Sequence, residues 1–150
     1  MLQDSPSLRV IDCHVHPKWS VSYPSREVED GLTFAEKLVA FMDEQWIDKA
    51  VIMPISPFIS NEYVAKVVDY HPDRFVGFAS VQPNLGRYAV EELEHAIKGL
   101  GLRGLKLHPF MQGFSLKNPS VWDCIRKAGE LNSCGFTLLD WRLFNFSFQV

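Results

Sequence analysis

The sequence contains little cysteine, no long apolar run and no concentration of charge of one sign. Its three cysteines, Cys13, Cys124 and Cys134, form no Cys-x-x-Cys motif and cannot all pair, which favours a reducing and therefore cytoplasmic location. No apolar stretch is long enough to span a bilayer, and the first residues lack the pattern of a secretory signal. Lysine and arginine are scattered and the net charge is −3, so we expect no nucleic-acid or membrane partner.

The composition is that of a single globular domain. The chain has 150 residues, of which 47% are hydrophobic and 22% are charged, and this is enough to bury one core. No linker-like or low-complexity segment divides the chain. We therefore expect one domain over residues 1–150.

Strand-like and helix-like segments alternate along the chain. Short runs rich in β-branched and apolar residues are separated by longer stretches with apolar residues at helical spacing. The predicted strands cover residues 8–16, 50–54, 74–81 and 102–108, with a further candidate at 136–139, and the predicted helices start near residues 33, 61, 88 and 118. Four βα units and the start of a fifth predict an α/β fold with a parallel sheet and right-handed crossovers.

Helix ends and one helix face can be predicted in more detail. Thr33, with Glu36 three residues later, has the pattern of a capping box. Asn118-Pro119 has the pattern of a helix cap followed by proline at the first helical position. The helix that follows is expected to bury an apolar stripe made of Trp122, Ile125, Ala128 and Leu131.

The most informative feature is the pair His14 and His16 at the end of the first predicted strand. Strand side chains alternate, so both imidazoles should point the same way, with Cys13 on the opposite face as a packing residue. Residues 8–11 have the composition of a buried parallel strand. Two imidazoles at this spacing can bind one metal ion, although such an ion needs three or four ligands. The alternative is a histidine at a strand end that is only hydrogen-bonded.

A second polar pair, Lys106 and His108, ends the fourth predicted strand directly before Pro109. A lysine that points into a sheet interior costs free energy unless it is paired or functional. Two such strand ends therefore predict two walls of one polar site. The alternative is a lysine that snorkels to water and a histidine that caps the strand end. The apolar loop 110–114 is expected either to line a substrate pocket or to pack on the next helix.

Four segments together resemble a known family. They occur in the order in which the amidohydrolase-related family carries them, and the resemblance extends over about residues 8–133. This family is also called amidohydrolase 2 and includes aminocarboxymuconate-semialdehyde decarboxylase-like enzymes. The four segments are residues 11–17, 47–54, 71–81 and 104–109.

The resemblance implies a metal-dependent (β/α)8 TIM barrel, of which this chain would supply the first four βα units and a candidate fifth strand. It implies that His14 and His16 bind a divalent metal, commonly zinc, and that Lys106 and His108 support the substrate or the metal site. Family members hydrolyse C–N or C–O bonds or decarboxylate small, often aromatic, acids. In hydrolytic members the metal activates a water, and an aspartate from a late strand is the base.

The chain also departs from the family pattern. A (β/α)8 barrel takes about 250 residues, and the family's later ligand histidine has no counterpart in residues 135–141, where Asp140 is the carboxylate that could replace it. Residues 134–150 show no resemblance to the family, and we expect a divergent tail that reflects truncation. The alternative is a genuine strand that covers an exposed sheet edge, because the phenylalanines alternate as in a strand, at Phe144, Phe146 and Phe148.

Three functions are consistent with these features. The first is a metal-dependent hydrolase acting on a small carboxylic, amide or ester substrate through a metal-activated water. The second is a metal-dependent decarboxylase, a lyase of the same family. The third is a catalytically inactive fragment that acts by binding or not at all. The expected partner is a small-molecule substrate, and two half-barrels could associate as a homo-oligomer.

Overall fold

The structure is a computed structural model that describes residues 9–17, 19–20, 27–54, 56–133 and 136–138. In these residues the strands are β1 (Ile11–Val15), β2 (Trp19–Ser20), β3 (Glu27–Val28), β4 (Lys49–Ile52), β5 (Phe75–Ala79), β6 (Gly104–Leu107) and β7 (Phe136–Leu138). The helices are α1 (Gly31–Glu44), α2 (Asn61–Tyr70), α3 (Arg87–Lys98), α4 (Pro109–Gln112) and α5 (Pro119–Glu130), and a 3₁₀ turn covers Pro83–Leu85.

Five strands form one parallel sheet in the order β1-β4-β5-β6-β7, while β2 and β3 form a small antiparallel ribbon. The strands of the large sheet therefore lie side by side in the same order in which they occur along the chain. A doubly wound sheet reverses its strand order at a switch point, whereas a (β/α)8 barrel adds strands in sequence. The predicted partial barrel with four βα units and a fifth strand is confirmed.

The two faces of the large sheet have different environments. Residues paired across parallel strands present their side chains to the same face, so the registers of β4, β5 and β6 define two sets. The first face, here called the helix face, packs against the helices. This follows from the position of Gly77, where an added Cβ would lie 3.0 Å from Val64 of α2. The opposite face, here called the inner face, carries Lys106. The buried residues of the helix face are Ala50, Ile52, Phe75, Ala79, Leu105 and Leu107.

Two predicted helix starts have different outcomes. The expected capping box at Thr33 is wrong, because α1 begins earlier and Asp30 caps it by accepting the Thr33 backbone N–H at 3.0 Å. An aspartate at this position is as good a cap as serine or threonine. The start of α5 is as predicted, since Asn118 accepts the Ser120 N–H at 3.0 Å and Pro119 occupies the first turn.

The buried face of α5 agrees with the predicted stripe at Ala128 and at Ile125, which packs against the core, but it does not include Trp122. The structure buries Val121, Cys124 and Ala128, whereas Trp122 is 52% exposed and donates its indole N–H to the Leu116 carbonyl at 2.8 Å. Helix α5 packs on α3 and on the 3₁₀ turn. Smaller side chains fit this close helix–helix contact better, while an indole needs a partner for its N–H.

Strand β1 is less buried than its composition suggested. Val10 is 40% exposed and Ile11 is 52% exposed, so the expected buried strand is wrong for its amino-terminal part. Within the described sheet β1 is an edge strand whose neighbour is β4, and an edge strand has cover from one side only. Among the described helices, none has the length and apolarity needed to cross a membrane.

Candidate metal and substrate site

A register step in β1 sets the direction of its polar side chains. Asp12 pairs with Ala50, and Val15 pairs with Ile52, so three steps along β1 correspond to two along β4. This is a β-bulge, in which one strand carries an extra residue. Beyond the bulge, Val15 packs against the core on the helix face, and the adjacent His16 therefore points to the inner face.

The bulge also changes the environment of Cys13. Cys13 was expected to pack on the face opposite His14, but it is exposed, and so is His14. Strict alternation fails at a bulge, because one residue of the partner strand faces two residues of the bulged strand. The prediction of a packing role for Cys13 is therefore wrong.

The two histidines of the first motif converge. Their Nε2 atoms are 2.8 Å apart, and the ring centroids are 4.7 Å apart with an interplanar angle of 76°. Lys106 reaches the same point from β6, where its Nζ lies 3.2 Å from His16 Nε2. Three of the four residues singled out from the sequence thus meet in one place, although 90 residues separate Lys106 from His16.

The second nitrogen of His16 is held by the backbone. Its Nδ1 lies 2.7 Å from the Met53 carbonyl oxygen, and only a protonated Nδ1 can donate to a carbonyl. In neutral His16 the lone pair is therefore on Nε2, the atom that faces His14 and Lys106. A hydrogen bond from the other ring nitrogen to a backbone carbonyl is the usual support of a metal-binding histidine.

Burial and nearby cations keep both histidines neutral. Burial, opposed by the Met53 hydrogen bond and reinforced by the Lys106 charge, lowers the pKa of His16 to about 4. Burial and Lys106 also lower the pKa of His14, against the attraction of the Asp12 carboxylate. Because metal binding requires unprotonated imidazole, both side chains are in the required charge state at neutral pH.

Lys106 is fully buried, with no exposed surface. The alternative of a lysine that snorkels to water is therefore wrong. Burial lowers the pKa of Lys106 to about 8, so most of it is still protonated at pH 7. Among the described residues no carboxylate forms an ion pair with it. A buried ammonium group without a carboxylate partner is suited to receive an anionic ligand.

His108 caps the helix that follows β6, which was the alternative to a role in the polar site. It precedes α4, and its Nδ1 accepts the Met111 backbone N–H at 3.4 Å. The His108 backbone N–H donates to Gln112 Oε1 at 2.6 Å. Electrostatic repulsion between His108 and His16 makes a minor contribution to the lowered pKa of His16, so this side chain belongs to the electrostatic environment of the site.

Three buried polar residues that sequence analysis did not select brace the carboxyl ends of the strands. Gln112 donates to the Val81 carbonyl at 2.7 Å and to Ser80 Oγ at 3.3 Å. Asn61 accepts the Ser80 N–H at 2.8 Å and donates to the Ser80 carbonyl at 3.1 Å. The signal that could have identified this network is a serine directly after the apolar strand β5.

The apolar loop that follows β6 forms α4 and a turn. Phe114 is 8% exposed and packs in the core, while Phe110 is 64% exposed. Both line an open cavity of about 620 Å³ that Lys117 also borders. One aromatic side chain of the loop thus packs into the core and the other borders a cavity, while a role of the loop in a substrate pocket stays a prediction.

The histidine pair is a candidate for two ligands of a metal site. Within the part of the chain that the structure describes, no cluster of three or more histidine, cysteine, aspartate or glutamate side chains has the arrangement of a metal site. The two Nε2 atoms, 2.8 Å apart, are close enough to share one divalent ion, and the hydrogen bond to Met53 leaves the lone pair of His16 on Nε2. Asp140 and the predicted strand at Phe144, Phe146 and Phe148 lie outside the described residues.

Sequential parallel strands with polar side chains at their carboxyl ends are the arrangement found in part of a (β/α)8 barrel. The family profile described as Amidohydrolase matches residues 11–133. The chain therefore belongs to the amidohydrolase family.

Individual relatives are similar to parts of this chain. A 2-amino-3-carboxymuconate-6-semialdehyde decarboxylase from Dictyostelium discoideum is 29% identical over 76 residues, which are 51% of this chain and 21% of that protein. A probable 2-pyrone-4,6-dicarboxylic acid hydrolase from Acinetobacter baumannii, with citric acid bound, is 22% identical with a TM-score of 0.62, over 87% of this chain and 49% of that one.

A third relative is 5-carboxyvanillate decarboxylase from Novosphingobium aromaticivorans, whose structure contains manganese and 3-methoxy-4-hydroxy-5-nitrobenzoic acid. It is 24% identical with a TM-score of 0.58, over 68% of this chain and 33% of that one. The matched parts thus span half or less of each of these relatives. At these identities the solved structures establish the fold.

Proposed function

We propose that this chain forms the first half of the active site of a divalent-metal enzyme, with His14 and His16 as metal ligands. The observation that carries the proposal is the convergence of their Nε2 atoms at 2.8 Å, with His16 Nδ1 held by the Met53 carbonyl. We propose zinc as the metal, which when bound polarises the substrate and lowers the pKa of a bound water toward neutrality.

The chain's own residues prepare the site for that ion. Met53 fixes the ring of His16 with Nε2 unprotonated. The single lone pair of His16 Nε2 accepts either from His14 Nε2 or from the Lys106 ammonium in the metal-free form, and a bound ion requires His14 to carry its proton on Nδ1. The lowered pKa values of both histidines reduce the competition between protons and metal at pH 7.

We propose Lys106 and His108 as the substrate side of the site. Lys106 is a buried cation beside the histidine pair, and a carboxylate would supply the charge partner that this ammonium group needs. His108 sits two residues further along the same strand end. The class of substrate that fits is a small carboxylic acid. The relatives' names support this class, since they include a dicarboxylic acid and a carboxylated aromatic ring.

We propose hydrolysis through the metal-activated water as the reaction. Decarboxylation is a second candidate, favoured by the match to a curated decarboxylase. Both reactions place a small substrate beside a divalent ion, and they differ in residues that would come from later strands of a barrel. An inactive fragment is the third candidate, and the tests below distinguish it.

The first test is metal content per chain, measured by elemental analysis of purified, tag-free protein. The variants are His14→Ala/His16→Ala and, as a matched control, His95→Ala, which removes an exposed histidine from α3. We expect close to one divalent ion in the parent and in the control and none in the double variant. A folded parent chain without metal would overturn the proposal and favour the inactive fragment.

The second test is turnover of a panel of small mono- and dicarboxylic acids, lactones and amides by the metal-loaded chain. Carbon dioxide release reports decarboxylation, whereas a new carboxylate without carbon dioxide reports hydrolysis. We expect any activity to disappear in Lys106→Met while the metal content stays unchanged. Loss of metal in Lys106→Met would contradict the assignment of this lysine to the substrate.

A further inference from the structure

The bulge in β1 determines which face of the sheet the histidine pair occupies. Asp12 pairs with Ala50, a residue of the helix face. In an unbroken register His14 would pair with Ile52 and would also lie on the helix face, since a strand alternates with a period of two. The extra residue puts Val15 opposite Ile52 instead, which turns His14 and His16 away from the apolar core and toward Lys106.

A bulge leaves a backbone group without its ladder partner, and such a group needs another acceptor. Here the His14 backbone N–H donates to Asp12 Oδ1 at 3.0 Å. The acceptor therefore comes from the last residue before the step in register. The histidine whose N–H is accepted is also the one whose ring converges on His16.

We propose that Asp12 is a positioning residue that holds the β1 bulge and thereby keeps His14 and His16 convergent. The inference rests on the proposed function in so far as the pair binds a metal. Asp12 acts through the backbone of His14 and is not itself a ligand. Bulges are rare between parallel strands, and in this one the His14 N–H has a side-chain acceptor in Asp12.

The chain offers a closely matched control. Asp48 Oδ2 accepts the Val10 backbone N–H at 2.7 Å, which is another carboxylate-to-backbone hydrogen bond on β1. It lies at the opposite end of the strand from the histidines. Asp48→Ala therefore removes the same kind of bond without touching the bulge, and Asp12→Asn removes the Asp12 charge while keeping an acceptor oxygen.

The test measures the dissociation constant of Co²⁺ by its absorption spectrum in the parent, Asp12→Ala, Asp12→Asn and Asp48→Ala. A second readout, in metal-free protein, is the nuclear Overhauser effect between the ring protons of His14 and His16. Removal of a group that orients metal ligands weakens metal binding about 10- to 100-fold. For Asp12→Ala we expect Co²⁺ binding to weaken at least about 10-fold, and for the other two variants we expect a change of less than about threefold. The contact between the two rings should be lost in Asp12→Ala alone.

The outcomes separate this inference from the proposed function. Parent-like affinity in Asp12→Ala, equal losses in Asp12→Ala and Asp12→Asn, or equal losses in Asp12→Ala and Asp48→Ala would each overturn it. If the parent chain binds no Co²⁺, the proposed function fails, and the ring contact alone decides the inference. Loss of that contact only in Asp12→Ala would then support the positioning role, and its persistence there would refute it.

Discussion

Replacing Lys106 with methionine should stabilise the fold at pH 7, because it removes a buried charge. Burial lowers the pKa of Lys106 from 10.5 to about 8. Each pKa unit corresponds to about 1.4 kcal/mol, so holding the ammonium form costs the folded state about 3 kcal/mol relative to an exposed lysine. Methionine has a similar length and no charge to desolvate, and it gives up one hydrogen bond to His16, worth about 1 kcal/mol. The expected net gain is about 2 kcal/mol.

The same shift predicts a pH dependence. Because the pKa of Lys106 is lower in the folded chain, the cost is fully present below pH 8 and disappears as the pH rises to 10.5. The unfolding free energy of the parent should therefore rise in this range relative to that of Lys106→Met, and the gap between the two should close.

The assay is urea unfolding of both proteins in metal-free buffer from pH 7 to pH 10.5. Lys117→Met serves as the control, because Lys117 is exposed and surface substitutions change stability by about 0.5 kcal/mol or less. A destabilised Lys106→Met, or a gap that stays constant across this range, would refute the reasoning. A stabilised variant without catalytic activity would mean that the lysine is kept for function at the expense of stability.

Three further predictions concern the same region. Metal-free protein should lose up to about 3 kcal/mol of stability as the pH falls from 6.5 to 4. Because the pKa of His16 is about 4 in the folded chain, only the unfolded chain protonates this histidine in that range. In denaturant titrations the stability of His16→Gln should therefore depend less steeply on pH. Gln112→Leu should cost about 2–3 kcal/mol, because it leaves the His108 N–H without its acceptor, and a variant as stable as the parent would contradict this. Gly77→Ala should cost about 1–3 kcal/mol by thermal unfolding, since the new Cβ would lie 2.6 Å from Leu102 Cδ2; an unchanged melting temperature would mean that Leu102 can move aside.

Much of the fold could be predicted from local sequence. The alternation of strands and helices, the start of α5 at Asn118 and the fifth strand all depend on segments a few residues long. Helix faces were harder to predict. Trp122 looked like a core residue by hydrophobicity, but α5 buries Val121 and Cys124 instead, because close packing selects by volume as well as by polarity.

The candidate site was predictable in its composition and less so in its geometry. His14 and His16 stood out because they are two residues apart in a strand, and Lys106 stood out as a charged residue in an apolar strand. That Lys106 reaches His16 follows from the placement of β1 and β6 in one curved sheet. The network around Gln112 could not be predicted, because this side chain joins His108, which follows β6, to Val81, which follows β5 and is distant in sequence.

The sequence by itself determined the order of elements, the identity of the polar residues and their position at the ends of two strands, because these depend on short-range spacing and on the turn preferences of proline and asparagine. Only the tertiary structure decided the register between β1 and β4. Strand register depends on pairing between residues that are distant in sequence, and a shift of one residue exchanges the two faces of a strand. One extra residue in β1 therefore decides whether its two histidines face an apolar core or a buried lysine.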